Sequence, residues 1–272
     1  MSIPLFCVDA FTSLPFKGNP AAVAILDNEA PEEWMQNVAA EMNLAETAFV
    51  VKQKVGEYGL RWFTPATEVD LCGHATLAAA YVLWEEELER SKTITFHTKS
   101  GALIAKQDGE AIMDRTIAID LPVVEVAPAL APAGLMAAMG LPTDLPVYLG
   151  ERYCLIELES EAAVLAVAPD FSQLKKVSAF GVIVTAEGSE PEVDFVSRFF
   201  APAVGVDEDP VTGSAHCRLA PYWSRKLKKE NLSAKQISRR GGELNVRLPG
   251  DGRVILQGRA ALVWRGAINT SF

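Results

Sequence analysis

A duplicated signature constrains this chain more than any other feature. Residues 61–66 read RWFTPA and residues 198–203 read RFFAPA, and a Val-Asp pair follows each copy at the same distance. Each copy then runs into a glycine at a predicted helix start, with CGHAT at residues 72–76 and TGSAH at residues 212–216. Because a helix start presents unpaired backbone N–H groups, the duplication predicts two helix ends that bind an anion between two lobes.

Further paired landmarks extend the duplication beyond this signature. Pro31 and Pro169 each open a helical stretch that leads into an apolar strand. A period of about half of the 272 residues is too long for a solenoid repeat. The sequence therefore predicts two similar domains, an N-terminal lobe at residues 1–122 and a C-terminal lobe at residues 123–272, with terminal strands free to cross between them.

Charge and composition narrow the class of partner. The formal net charge of −10 argues against nucleic-acid or anionic-membrane binding, because either partner would be repelled over most of the surface. No apolar run reaches the roughly 18 to 20 residues of a membrane span, and the N-terminus lacks a secretory signal pattern. The 4 cysteines are scattered, as expected of buried thiols in a reducing compartment. These features predict a cytoplasmic protein with a small-molecule ligand.

Strand signals dominate outside a few helices. Short apolar or alternating stretches predict strands at residues 3–9, 22–26, 48–52, 59–63 and 93–98. Residues 75–84 are apolar on nearly every side, which predicts a buried helix enclosed by a bent sheet. The second central helix should start at Gly213 or Ser214, and we expect Pro221 to kink it or end it.

Glu46 is the candidate proton carrier. It lies among small and apolar residues in the extended stretch LAETAFV, where desolvation would favour its protonated form. The alternative interpretation is a solvated strand glutamate. Aligning residues 49–51 with residues 182–184 places Glu46 opposite Ala179, so only one lobe supplies the acid.

The cysteines give a weaker signal. Cys72 directly precedes a helix start, and its pattern fits either a pocket wall or a reactive group. The matching place in the second copy falls at or near Pro210, which cannot transfer a proton, so a mechanism with two thiols is disfavoured. Cys217 lies several residues after the start of the second central helix, so it does not match the position of Cys72, and we expect it in the core.

The remaining candidate chemistry is sparse. No CxxC pair, HExxH or paired-histidine spacing predicts a metal site, and residues 72–74 alone are a weak ligand set. No GxGxxG or P-loop predicts a nucleotide, so we expect neither a metal nor a cofactor. His97 and His216 are expected to be structural or surface residues, and the repeated Arg61 and Arg198 to stabilise their own lobes.

Four motifs together resemble the PhzF family of phenazine-biosynthesis proteins. They are FKGNPAAV at 16–23, NLAETAF at 43–49, the segment 61–76, and EDPVTGSAH at 208–216. The resemblance runs from end to end and is greatest to the phenazine biosynthesis-like domain proteins. It implies an α+β fold of the diaminopimelate epimerase-like type, with two pseudo-symmetric lobes, each a β-barrel-like sheet around a central helix, and a homodimer. Gly18 and Asn19 belong to the first motif, and their residue types predict a turn that leads into the strand at residues 22–26.

The resemblance also implies roles for residues. In the family the glutamate of the second motif is the catalytic acid/base, which assigns that role to Glu46, with His74 and Asp209 positioning Glu46 and the substrate. The implied substrate-binding positions are Gly73, Gly213, Ser214 and Cys72.

The expected function is that of a cofactor-independent isomerase, which moves a proton within a small carboxylate-bearing substrate of cyclic or amino-acid-like structure. The family's reference reaction is isomerisation of trans-2,3-dihydro-3-hydroxyanthranilate. Two alternatives stay open. One is an amino-acid epimerase or racemase that uses Cys72, and the other is a non-catalytic protein that binds a small ligand or acts as a scaffold.

Overall fold

The computed structural model describes residues 2–109 and 116–269, which form eighteen strands and six α-helices. The strands are β1 (Ile3–Ala10), β2 (Asn19–Leu26), β3 (Glu46–Lys54), β4 (Glu57–Phe63), β5 (Glu68–Val69), β6 (Thr93–Thr98), β7 (Gly101–Asp108), β8 (Thr116–Pro122), β9 (Ala127–Ala129), β10 (Val147–Gly150), β11 (Tyr153–Glu157), β12 (Gly181–Glu187), β13 (Phe195–Ala201), β14 (Val206–Asp209), β15 (Asn231–Gln236), β16 (Gly242–Arg247), β17 (Arg253–Gly258) and β18 (Ala260–Ile268). The helices are α1 (Glu32–Met42), α2 (Gly73–Glu85), α3 (Leu135–Met139), α4 (Glu161–Ala166), α5 (Phe171–Leu174) and α6 (Gly213–Leu227).

The chain divides into two compact units. One comprises the chain up to Leu121 together with the segment from Ile255 onward, and the other runs from Pro122 to Val254. The sequence-based boundary after residue 122 lies beside this division, whereas the last strand, β18, groups with the first unit. In the described ranges no helix is both long enough and apolar enough to span a bilayer.

Strand pairing in the first unit follows a defined series. β1 pairs antiparallel with both β18 and β2, and β2 pairs parallel with β3 across α1. β3 pairs antiparallel with β4, which also pairs with the short β5. β4 then pairs parallel with β6 across α2, and β7 and β8 continue antiparallel. Each parallel pair thus has a helix as its crossover connection.

The second unit repeats the pairing pattern of β1 to β7 in its strands β10 to β16. β10 pairs antiparallel with β11, which pairs parallel with β12 across α4 and α5. β12 pairs antiparallel with β13, which pairs with the short β14 and, across α6, parallel with β15. β15 and β16 close the series antiparallel. The duplication predicted from the sequence is therefore present in the topology of both units.

Helix α2 is enclosed on all sides, as its sequence predicts. It packs against β1, β2, β3, β7 and β18, and eleven of its thirteen residues are buried. The first of these buried positions, Gly73 and His74, carry the polar end of the helix into the core. Burial of an apolar helix of this kind is driven by removal of its side chains from water.

Helix α1 shows how local sequence sets the boundaries of a crossover helix. Pro31 occupies its N-cap and two acidic residues fill its first turn, where they favour the positive end of the helix dipole. Asn43 ends it in the left-handed conformation at φ 49°, which asparagine tolerates better than most residues. The chain then enters β3 at Glu46.

The register of the paired strands corrects the position that the sequence alignment gave Glu46 in the second unit. Phe49 pairs with Arg61 in the first unit, and Val184 pairs with Arg198 in the second. Since the two arginines are the repeated ones, Phe49 matches Val184 and Glu46 therefore matches Gly181, not Ala179. The conclusion that one lobe alone supplies the acid is unaffected, because Gly181 has no side chain.

The Val-Asp pairs lie at the same distance from both copies of the signature, but they do not occupy equivalent positions in the two units. A 3₁₀ turn at Pro202–Val204 lengthens the second copy, and its helix starts three residues later relative to the signature. Cys72 and Thr212 are both N-cap residues of their helices. The match of Cys72 with Pro210 was therefore wrong, and its counterpart is Thr212.

The two repeated arginines stabilise their own units, as predicted. Arg61 donates from Nε and Nη2 to the carboxylate of Glu68, both at 2.7 Å. Arg198 binds Glu208 in the same bidentate manner at 2.7 and 3.1 Å. Each pair ties the signature strand to the short strand that follows it.

Candidate active site

Glu46 lies at the first position of β3, where it pairs with Ala21 of β2. Its side chain is 19% exposed, and Oε2 lies 3.1 Å from His74 Nε2. The separation is that of an ion pair, although the angle at Nε2 does not meet hydrogen-bond geometry. The contact joins residues 28 positions apart, because β3 begins beside the start of α2.

His74 is held from the opposite edge of its ring by two other side chains. Asn19 Nδ2 lies 3.2 Å from Nδ1, and Cys72 Sγ lies 3.6 Å from the same nitrogen. His74 is 4% exposed, Cys72 is 6% exposed and Asn19 is fully buried. The imidazole therefore has little freedom to turn and presents Nε2 to Glu46.

The electrostatics favour a charged His74. Burial alone would lower its pKa, but the neighbouring Cys72 and Glu46 raise the pKa of His74 well above its usual range. Burial raises the pKa of the Cys72 thiol, and the negative charge of Glu46 adds to that shift. These neighbours therefore favour the protonated form of His74.

Asn19 was missed as a site residue. Gly18 before it has φ 62°, and a Cβ there would lie 2.1 Å from the carbonyl oxygen of Ala10, so the turn requires glycine. The turn itself was predicted. The sequence gives no sign that Asn19 is the first residue of a buried strand and that its side chain reaches His74.

The start of α2 lies in the same cluster. Its N-cap residue Cys72 has no side-chain hydrogen bond to the helix, and the Thr76 hydroxyl donates to the Cys72 carbonyl at 2.6 Å. The first N–H groups of a helix have no partner within the helix, so they are available to an anionic group. The first of these N–H groups belongs to Gly73, which has no side chain to cover it.

In the second unit, Asp209 and Ser214 lie at the end of β14 and the start of α6. Asp209 Oδ2 accepts from the Thr212 hydroxyl at 2.5 Å, and Ser214 Oγ lies 3.2 Å from Tyr153 Oη. Gln236, fully buried, accepts from the Thr212 N–H at 2.8 Å and donates to the Asp209 carbonyl at 2.7 Å. Gln236 fixes this turn, and nothing in its alternating strand sequence marked it.

The remaining histidines and Cys217 are structural, as predicted. His216 Nδ1 donates to the Thr212 carbonyl at 2.8 Å, and burial lowers its pKa to about 4. Burial raises the pKa of Cys217 to about 12, and its thiol contacts the Gly213 carbonyl at 3.5 Å. His97 is 43% exposed and pairs with Glu57 at 2.9 Å.

The structure thus divides the site residues expected from the sequence into two groups. Glu46, Cys72, Gly73 and His74 come together in the first unit. Asp209, Gly213 and Ser214 lie together in the second unit. Asn19 and Gln236 are the additions that the structure makes.

Comparisons with known proteins agree with this architecture. The family model for phenazine biosynthesis-like proteins matches residues 8–266. The chain is 48% identical over 272 residues to an uncharacterized isomerase from Halalkalibacterium halodurans, covering 98% of this chain and 99% of that protein. It is 42% identical over 294 positions to the human phenazine biosynthesis-like domain-containing protein, with coverage of 98% and 99%.

A solved structure shows the same fold. The crystal structure of a PhzF-family phenazine biosynthesis protein from Enterococcus faecalis matches with a TM-score of 0.89 and 45% identity, covering 99% of this chain and all of that one. The chain therefore belongs to the PhzF family of phenazine biosynthesis-like proteins, and it has the diaminopimelate epimerase-like α+β fold.

Proposed function

We propose that this protein is a cofactor-independent isomerase that moves a proton within a small carboxylate-bearing substrate, with Glu46 as the proton carrier. The observation that carries the proposal is the contact between Glu46 and His74. The protonated ring of His74, buried beside Glu46, attracts and orients the Glu46 carboxylate, which is the form of the side chain that a general base requires.

The chemistry needs only groups of this chain. Glu46 takes a proton from a substrate carbon, and the electron pair of that C–H bond moves toward the substrate carboxylate or a conjugated carbonyl. N–H groups at the start of α2, beginning with Gly73, stabilise the resulting oxyanion. Glu46, now protonated, returns the proton to a different carbon, so that no oxidant or second substrate is required.

The second unit contributes substrate-binding groups in this proposal. The resemblance to PhzF proteins assigns a positioning role to Asp209 and substrate binding to Gly213 and Ser214, and the hydrogen bonds of Thr212 and Gln236 that hold Asp209 in place support the first assignment. Asp209→Asn and Ser214→Ala should raise KM or lower kcat in the exchange assay below.

The same geometry argues against epimerisation by Glu46 and Cys72. Two bases on opposite faces of one carbon, each about 3 to 3.5 Å from it, stand roughly 6 to 7 Å apart. Ligand atoms of Glu46 and Cys72 lie within 4.8 Å of one another. Both groups therefore serve one face of a substrate, which suits a proton shift and not an inversion.

The test is hydrogen–deuterium exchange by NMR. Small cyclic and amino-acid carboxylates are incubated in D2O with the wild type and with Glu46→Gln, which keeps the shape of the side chain and removes its basicity. Wild type should exchange one carbon-bound proton of at least one compound, and the variant should lower that rate at least about 100-fold. Glu57→Gln is the matched control, because Glu57 also contacts a histidine but lies on the surface.

Other outcomes separate the alternatives. Full exchange activity in Glu46→Gln would contradict the assignment of the base. Exchange with inversion at one carbon would favour an epimerase. Thermal protection by a compound that the protein never exchanges would favour a binding protein.

We also propose that the protein is a homodimer, as the resemblance to PhzF proteins implies. Light scattering coupled to size-exclusion chromatography measures this directly. A monomer mass at micromolar concentration would contradict it.

A further inference from the structure

Three side chains of different ligand chemistry converge in the first unit. Glu46, Cys72 and His74 each offer one potential metal-ligand atom, and these atoms all lie within 4.8 Å of one another. Within residues 2–109 and 116–269 this is the one such group of three. The sequence supplied only the Cys72 and His74 part of it, and the fold adds the carboxylate.

The three kinds of ligand atom together prefer a particular class of cation. A thiolate, an imidazole and a carboxylate together suit a borderline or soft divalent cation such as Zn²⁺, whereas Mg²⁺ and Ca²⁺ prefer sites made of oxygen atoms. Three protein ligands leave the fourth position of a tetrahedral ion open to water or another small ligand.

The separations are close to those of a metal site. Bonds of 2.0 to 2.3 Å in a tetrahedral site put neighbouring ligand atoms roughly 3.3 to 3.8 Å apart. Cys72 Sγ lies 3.6 Å from His74 Nδ1, and Glu46 Oε2 lies 3.1 Å from His74 Nε2. Because these two contacts are made to different nitrogens of one ring, a single ion requires Cys72 or Glu46 to turn toward the nitrogen that the other side chain contacts, and both side chains have rotatable bonds.

Asn19 supports the imidazole in this role. A metal-bound histidine commonly uses its second ring nitrogen to bind a neighbouring oxygen, which fixes the ring. Asn19 contacts Nδ1, and its amide can present oxygen as readily as nitrogen. This arrangement favours Nε2, the nitrogen that faces Glu46, as the metal ligand, and Cys72 must then turn from the Nδ1 edge of the ring to reach the ion.

We propose that Glu46, Cys72 and His74 bind one thiophilic divalent cation, and that the bound cation blocks proton transfer by Glu46. On binding, the Cys72 thiol and the His74 imidazolium each release a proton to solvent, and no group is oxidised or reduced. The binding site stands without the proposed function, whereas the inhibition rests on it, because the cation occupies the lone pairs that Glu46 needs as a base.

Co²⁺ is the probe for the site, since cobalt–thiolate bonds give a charge-transfer absorption that water-bound cobalt lacks. Protein stripped with a chelator is titrated with Co²⁺, and we expect one equivalent to bind with this band. Cys72→Ser should abolish the band, while Glu46→Gln should weaken binding at least about tenfold. His97→Asn is the matched control for surface histidine–carboxylate binding and should leave both unchanged.

The outcomes are distinct. Absence of the band in wild type, or its persistence in Cys72→Ser, overturns the site. If Cys72→Ser does not fold by circular dichroism, the Glu46→Gln titration decides, and unchanged affinity there overturns it.

Zn²⁺ added to the exchange assay tests the second half of the proposal. Saturating Zn²⁺ should suppress exchange, and a chelator should restore it. Exchange that continues at full rate with the site occupied overturns the inhibition. Cobalt binding without any exchange by the metal-free enzyme would instead remove the isomerase proposal and leave the site intact.

Discussion

His74 and His216 occupy buried positions near the starts of corresponding helices. Their neighbours favour the protonated form of His74 and the neutral form of His216. His74 faces the carboxylate of Glu46, which compensates an imidazolium. His216 meets a backbone carbonyl and the ring of Phe195, and neither compensates a full charge. Burial therefore keeps His216 neutral, while the Glu46 carboxylate allows His74 to carry its proton.

The neutral state of His216 predicts acid sensitivity. Its pKa is lowered from 6.5 to about 4 in the folded protein. Between those values the unfolded chain binds a proton that the folded chain does not, so stability falls as pH drops from 6.5 and levels off below about 4. The shift corresponds to about 2 kcal/mol of stability lost between pH 7 and pH 5.

His216→Gln should remove that loss, because glutamine can still donate to the Thr212 carbonyl but does not titrate. Urea unfolding at pH 7 and pH 5 measures the difference for wild type and variant. His97→Gln on the surface is the control and should keep the wild-type difference. An unchanged pH difference in His216→Gln would show that other groups cause the acid sensitivity.

The sequence named Glu46 and His74 as candidates, but it did not indicate the contact between them. Glu46 was named from its small and apolar neighbours and from the motif resemblance, and His74 from the resemblance alone. Their ion-pair contact depends on how β3 is positioned beside α2, which no local pattern encodes. Asn19 was assigned to a turn for a sound local reason, and only the path of β2 brings its side chain to His74.

At the scale of elements, Pro221 lies inside a helix that continues past it. Helix α6 runs from Gly213 to Leu227, so of the two predicted effects the end of the helix is wrong, and the kink stays a prediction. A proline at this position cannot donate to the carbonyl of Cys217. That carbonyl instead accepts the N–H of Val124 at 3.0 Å, so the acceptor remains satisfied.

Pro221→Ala should therefore change stability little. Removing a proline from the interior of a helix ordinarily gains about 3 kcal/mol, because a hydrogen bond is restored and a steric clash is relieved. Here Val124 already occupies the carbonyl, and we expect a change in the free energy of unfolding below about 1 kcal/mol. Urea denaturation compares the two proteins, and a gain near 3 kcal/mol would contradict this account.

Element types were predicted better than element alignments. The five early strands and the buried central helix occur where periodicity placed them, with ends differing by up to three residues. Alignment between the copies failed because it relied on a short identical spacing. The added turn at Pro202–Val204 shifts everything after it, and only strand register shows which residues correspond.

At the scale of the whole molecule, the two units differ in how the chain builds them. The second unit is continuous from Pro122 to Val254 and contains its own apolar cluster, which includes Leu135, Val184 and Phe200. The first unit is discontinuous, because β18 from the far end of the chain pairs with β1 along eight positions. The two units thus share a duplicated sequence pattern, but the second is built from one segment of the chain and the first from two.

This difference predicts how fragments behave. A fragment of residues 122–254 should unfold cooperatively on heating, because it keeps the strands β9 to β16, the helices α3 to α6 and the apolar cluster. A fragment of residues 1–121 should not, because without β18 the strand β1 becomes an unpaired edge whose buried side chains, among them Leu5 and Val8, face water. Circular dichroism melts compare the two fragments.

Returning the missing strand supplies the decisive comparison. Residues 1–121 joined through a flexible glycine-serine linker to residues 255–269 should recover a cooperative transition, since β18 then restores the hydrogen bonds along β1. The same fusion with residues 260–268 in scrambled order is the control, because it keeps length and composition but loses the register. Equal transitions in the scrambled fusion, or in residues 1–121 alone, would show that the first unit folds without β18, and its discontinuity would then have no energetic role.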